Sequence, residues 1–183
     1  RERLKQPLLP LLAAGNGPVP YFYDKNACYN LSFVGLAEAI EFHSGHQLGR
    51  DKDAAELGVR ILRELSKLAE ASSEESEMRI NVSQRPADEA VGRLAELDIE
   101  EYGRAVVVTD GTRGLPYYSD VPTVPLSFKV PVESRISAES QFQSMMPGGH
   151  LSVICVESNS TISGLSDLTR SAMVSGCKYQ TYT

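Results

Sequence analysis

The stretch that most restricts how this chain can fold is its final third. "HLSVICVE" (150–157) is almost continuously apolar, the composition of a strand buried on both faces. "SGLSDLTRSAMVSG" follows, with Leu165, Leu168, Ala172 and Met173 at the spacing of one inward helical stripe and Gly176 as its stop. "CKYQTYT" then alternates like a further strand. Strand, helix and strand within one short span make a right-handed crossover between parallel strands. A chain committed to that unit belongs to the α/β class.

The remaining segments are read against that class. Residues 1–25 form an irregular, Pro/Gly-punctuated lead-in with a turn at Gly15, Asn16, Gly17 and Pro18. A helix is expected over 31–43, its apolar side drawn by Phe33, Leu36, Ala37 and Ile40, with Gly45 at its C′ position. Cys28, Tyr29 and Asn30 then fall in a packed turn ahead of it. A second helix begins at Asp51 or Asp53 and buries Ala54, Leu57, Ile61, Leu65 and Leu68, fading at the solvated "ASSEESE". "MRINVSQ" (78–84) reads as a strand, and "RPADEAVGRLAELD" as a helix with Pro86 in its first turn and Ala90, Leu94 and Leu97 inward. A strand from Ala105 to Thr109, the turn "DGTRG" and a strand from Leu115 to Ser119 make an inserted β-hairpin. Pro122, Pro125 and Pro131 exclude a central strand over 121–132 and indicate an extended surface loop. A further helix spans 133–145, and "PGGH" turns from it into the apolar strand.

Charge and cysteine content bound the function. The net charge of −6 argues against nucleic acid or an anionic membrane as principal partner, since both repel it. No apolar run is long enough for a transmembrane helix, and Pro7 and Pro10 interrupt the only leader-like stretch, so the expected location is cytoplasmic. Cys28, Cys155 and Cys177 are too scattered for a disulfide framework or a zinc motif. The missing initiator methionine and the strand-like end at Thr183 suggest a piece of something larger.

Candidate site residues each have a packing alternative. Ser83 and Gln84 end a strand just before a helix, the edge where α/β sheets bind ligands; helix capping by Ser83 is the competing explanation. Gly148 and Gly149 offer bare backbone N–H groups to a ligand, or else a tight turn. Tyr118, Ser119 and Asp120 in "PYYSD" are polar groups on the hairpin, where tyrosine pairs usually pack across strands. His43 and His46 stand three apart, but Gly45 ends the helix between them, and solvated imidazoles at a C-cap explain them. The three thiols are read as packing groups, Cys28 being the one a helix N-terminus could activate.

In order along the chain, "NLSFVGLAEAIEFHSG", "NVSQRPADEAVGRLAELDIEEYG", "LPYYSDVPTVPLSFKVPVESRISAESQF" and "GGHLSVICVE" resemble the catalytic subunit of anaerobic (class III) ribonucleoside-triphosphate reductases. The matching positions are Val34–Glu38 with Ser44–Gly45, then Pro86, Ala87, Arg93, Asp98, Tyr102 and Gly103. Tyr117, Tyr118, Ser119 and Pro122 follow, and after them Gly148, Gly149 and Ile154. The likeness runs from near Phe22 to near Gly176. It implies that residues 26–183 are part of a ten-stranded α/β barrel, within its second half-barrel. It implies reduction of ribonucleoside triphosphates to deoxyribonucleotides by a thiyl and a glycyl radical, with formate as reductant. The family's thiyl-bearing "GCR"-like segment, its glycyl loop and a structural zinc site fall outside this chain, so no catalytic residue is expected here and the segment alone is expected to be inert. Implied partners are the ribonucleotide substrate, ATP or dATP as effectors, a radical-SAM iron–sulfur activase and a second copy in a homodimer. Ser83, Gln84, Gly148 and Gly149 are the first expected substrate contacts, with Tyr118, Ser119 and Asp120 second. The alternatives are a non-catalytic nucleotide-binding or regulatory relative, and another glycyl-radical enzyme such as an acyl lyase.

Overall fold

The computed structural model describes residues 27–183; the lead-in over 1–25 and its turn at 15–18 lie outside the described residues. The chain next forms a strand, β1 (Cys28–Ser32), where a turn was expected, and helix α1 (Leu36–Ser44) starts later than position 31. Gly35 explains the shift. It sits at the N-cap with φ 76, a conformation that fits a helix boundary and not its interior. The residues ahead of it satisfy their backbone groups by pairing in parallel with β2 (Arg79–Ser83), from Cys28↔Arg79 to Ser32↔Ser83. α1 buries Leu36, Ala37 and Ile40 as expected, and Gly45 (φ 71) caps it by donating its N–H to Glu41 O.

Helix α2 (Lys52–Ser76) does not fade at "ASSEESE" but runs through it. Serine hydroxyls hold that polar tail in place. Ser73 Oγ bonds back to Ala69 O at 2.7 Å and accepts Ile80 N–H at 2.9 Å, tying the end of α2 to β2. The buried line is Ala54, Gly58, Leu62 and Ala69; Leu57, Ile61 and Leu65 flank it half-buried, and Leu68 is exposed. The face is thus rotated from the expected stripe, because small residues let α2 lie close to its neighbours. Leu36, Ala37, Ile40, Leu48, Leu62, Val82, Val124, Phe142 and Met146 complete this core.

Helix α3 (Glu89–Tyr102) begins after Pro86, since Ala87 N–H is taken by Asp120 Oδ2 at 2.8 Å and Asp88 has φ 41. Ala95 is its buried residue, whereas Leu94 and Leu97 are exposed, contrary to the expected stripe. The hairpin is shorter and later than anticipated. β3 (Asp110–Thr112) pairs antiparallel with β4 (Leu115–Tyr117) about Arg113 and Gly114. Ala105–Thr109 is not a strand; Val106 N–H instead closes a turn onto Gly103 O, and no described strand pairs with this stretch.

The proline-rich stretch is irregular, as expected, but Pro122–Pro125 is buried and not on the surface. It follows a cis Val121–Pro122 bond. Helix α4 (Val132–Ser144) makes that burial possible by supplying side-chain partners for the loop's backbone. β5 (Ser152–Ile154), α5 (Ile162–Val174) and β6 (Gln180–Tyr182) form the expected parallel crossover, Ser152 opposite Gln180. β5 is shorter than the apolar run, so Cys155 is exposed where packing was expected. In α5, Ala172 is buried and Met173 points to solvent. The described strands form separate parallel pairs and one hairpin, in a mixed α/β arrangement.

Candidate functional site

The C-terminal ends of β1 and β2 meet the turn that follows α4. Ser83 does not cap a helix. Its hydroxyl lies 2.7 Å from Ser32 Oγ across the strand pair, and the residue is fully buried. Gly148 N–H donates to Val82 O and Gln84 N–H to Gly149 O, each at 2.9 Å, so the glycine turn extends the pairing of β2. A Cβ at Gly148 would meet Asn30 Oδ1 at 2.5 Å and Val82 O at 2.9 Å; close backbone packing accounts for this glycine. Gly149 is different. It has φ 117 and nothing within 4 Å of where a Cβ would stand.

Gln84 is 3% exposed. Its Oε1 accepts the Thr123 hydroxyl at 2.5 Å, while its Nε2 has no hydrogen-bond partner among the described residues. An unmet buried donor costs about 1–3 kcal/mol, so it is a group with an acceptor to find. Ser83, Gln84, Gly148 and Gly149 are therefore brought together at one sheet edge.

Tyr118, Ser119 and Asp120 face elsewhere. Tyr118 OH donates to Asp98 Oδ2 at 2.5 Å, and burial followed by that hydrogen bond pushes the phenol's pKa up. It lines a cavity of about 560 Å³ between α1 and α3, with Phe42, Leu94 and Tyr102 among the walls. Ser119 gives both its N–H and its hydroxyl to Glu38, each at 2.8 Å, and its carbonyl accepts Gly35 N–H. Burial raises the Glu38 pKa, opposed by those bonds. Asp120 accepts from Ala87 N–H and Val121 N–H. These groups tie the hairpin exit to the starts of α1 and α3.

Several polar residues that sequence reasoning passed over are buried nearby. Glu139 Oε1 accepts Val124 N–H at 2.7 Å, and Glu139 Oε2 lies 2.5 Å from His150 Nε2. Arg135 donates to the carbonyls of Val124, Pro125 and Phe128; burial lowers its pKa, and the nearby Glu139 carboxylate opposes that. Gln143 Oε1 accepts the N–H groups of Lys178 and Tyr179 while its Nε2 donates to Tyr179 O. The available signal was spacing: Arg135, Glu139 and Gln143 recur every four residues, a polar stripe on a helix that also buries Ile136, Ala138 and Phe142. Cys28 is exposed and accepts from Asn81 Nδ2 at 2.9 Å, and burial pushes the Cys177 thiol's pKa up. Among the described residues no group of three or more His, Cys, Asp or Glu is placed to hold a metal, and no helix is long and apolar enough to cross a membrane.

Comparison with known proteins places these features in context. A family model described as anaerobic ribonucleoside-triphosphate reductase matches residues 17–183. No curated protein sequence matches the chain. Among solved structures, one called anaerobic ribonucleotide reductase superposes with a TM-score of 0.81 at 21% identity, covering 99% of this chain and 27% of that one. The anaerobic ribonucleotide reductase of Thermotoga maritima with glycerol in the active site gives 0.71 at 19% identity, covering 84% of this chain and 24% of that one. The same enzyme in complex with dATP and CTP gives 0.71 at 20% identity, covering 84% and 25%. The chain thus spans about a quarter of the length of the solved structures it matches.

Proposed function

The chain belongs to the anaerobic ribonucleoside-triphosphate reductase family, and from that premise we propose that it is a section of a reductase converting ribonucleoside triphosphates to deoxyribonucleotides. In this reading residues 26–183 are part of the second half of a ten-stranded α/β barrel, and the hairpin is an insertion in it. Both parallel pairs support the reading, since each is only two strands wide and neither has a further strand neighbour among the described residues. The thiyl cysteine, the glycyl radical and the structural zinc belong to other parts of the parent protein, and a radical-SAM activase is its partner. Formate is the reductant, ATP and dATP are effectors, and the parent acts as a homodimer. The complex of a similar fold with dATP and CTP supports a nucleotide as the ligand.

The role left to this section is to hold the ribonucleotide. One observation carries it: the unpartnered, buried Gln84 Nε2 stands where a parallel strand ends, beside the open position at Gly149. A phosphate or ribose oxygen supplies the acceptor that Nε2 lacks. Tyr118, Ser119 and Asp120, engaged by Asp98, by Glu38 and by the Ala87 and Val121 N–H groups, stand apart from this edge and act second, by holding the hairpin exit in place. The test is calorimetric titration of CTP into the full-length reductase. Gln84→Ala is expected to weaken binding about tenfold, the effect of one hydrogen bond. Unchanged affinity overturns the assignment.

A further inference from the structure

The contacts that fix Gln84 all lead to one carboxylate. The Gln84 amide oxygen is held by the Thr123 hydroxyl, and its backbone N–H is held by Gly149 O. Thr123 is followed by Val124, whose N–H bonds to Glu139 Oε1. Gly149 is followed by His150, whose Nε2 meets Glu139 Oε2; Ser152 Oγ adds a 3.5 Å contact to the same oxygen. Gln84, Thr123, Val124, Glu139, His150 and Gly149 therefore close a ring through β2, the cis-proline loop, α4 and the glycine turn. Glu139 is fully buried and His150 is 3% exposed.

We propose that Glu139 is a positioning residue for nucleotide binding: through Val124 and His150 it sets the two loops that aim the Gln84 amide. The proposal rests on the reading of Gln84 as a nucleotide contact. Burying a carboxylate is costly unless its lone pairs are met, and an apolar side chain would fill the same space at lower cost. What a carboxylate adds is direction. Its two oxygens address two separate loops, and Arg135, one turn earlier on α4, balances its charge while gripping the same loop by three carbonyls. Small errors in placing a contact group cost binding out of proportion to their size.

The test is a mutant cycle in the full-length reductase, reading KM, kcat and the unfolding midpoint. Thr123→Val breaks the ring next to Gln84 without stranding a buried charge, so it serves where Glu139→Ala fails to fold. Gln84→Ala and Glu139→Ala are each expected to raise KM for the ribonucleotide about tenfold with kcat within about twofold. Thr123→Val is expected to raise KM several-fold, and Glu139→Gln, which keeps an oxygen for Val124 N–H, recovers most of the loss. In the Gln84→Ala background, neither Thr123→Val nor Glu139→Ala adds more than about twofold, because the group they position is gone. Additive effects on KM, or a lowered unfolding midpoint with unchanged KM, overturn the positioning role. If Gln84→Ala itself leaves KM unchanged, the nucleotide contact falls and the positioning role falls with it.

Discussion

At Gly148 a single methyl group decides whether β2 and the glycine turn can touch. The Cβ would press on Val82 O and Ser83 Cβ at 2.9 Å, backbone and near-backbone atoms that cannot swing aside. Gly148→Ala is therefore expected to destabilise the fold by about 1–3 kcal/mol, read as a lowered urea midpoint; an unchanged midpoint refutes the tight contact. Glu38 makes a different prediction, since it is buried and its pKa is raised chiefly by desolvation. The folded state then holds its proton more tightly than the unfolded chain does. Its contribution to stability is fully present below the unfolded carboxylate pKa and is lost as pH rises through the raised folded value. Glu38→Gln keeps an acceptor for Ser119 N–H and has no charge to bury. The gap between Glu38→Gln and the natural protein in urea unfolding should widen in favour of the variant from pH 4 toward pH 7. A gap that narrows over that range would rule out desolvation as the dominant cause.

Helices are held here by more than apolar stripes. α1, α2 and α4 converge at Gly58, where an added Cβ would stand 3.0 Å from Ile40 Cδ1 and from Phe142 Cε1 and Cζ. Alanine favours a helix by about 1 kcal/mol over glycine, but Phe142 is fully enclosed and has little room to yield. Gly58→Ala is expected to cost about 1–2 kcal/mol net, and a raised melting temperature would show that the interface is looser than it looks. α4 adds polar groups to its apolar packing. Arg135→Ala leaves buried carbonyls of the cis-proline loop unmet and should cost on the order of 3 kcal/mol, measured by chemical denaturation; Arg135→Lys, without a planar fork for several carbonyls, should recover less than half. That difference explains what the sequence made legible. Helix positions followed from apolar spacing and Gly stops, as at Gly45 and Gly176. Beyond Ala54, the buried face of α2 did not, because small residues (Gly58, Ala69) give a weak hydrophobic signal yet permit the closest approach. The burial of Pro122–Pro125 did not either, since it depends on Arg135 and Glu139 reaching in from a helix later in the chain.

For the molecule as a whole, parallel pairing was legible and sheet assembly was not. The crossover over 150–183 and the βα start at 78–84 stand in the residues themselves, whereas the partner of β1 lies about fifty residues away and no local pattern names it. The candidate site divides along the same line: Ser83, Gln84, Gly148 and Gly149 were flagged by their place at strand ends, but Glu139 and His150, which bind that edge together, look from the sequence like an ordinary helix residue and a turn residue. The same architecture exposes much that a finished sheet would cover. All of β1 is accessible, with Tyr29 and Leu31 among its side chains, and Leu115, Ile162 and Val174 are 73%, 88% and 85% exposed. Free strand edges carry unpaired backbone groups that template pairing with another chain, and exposed apolar surface adds a non-directional pull. A net charge of −6 opposes association only over about a Debye length, roughly 8 Å at physiological salt. Residues 1–183 expressed alone are therefore expected to self-associate at tens of micromolar, with light scattering that rises with concentration and falls when full-length flanking sequence is restored. Sedimentation as a single 20.0 kDa species across that range would mean that these edges and faces are satisfied within the chain itself, and would remove the main physical reason for placing it inside a larger barrel.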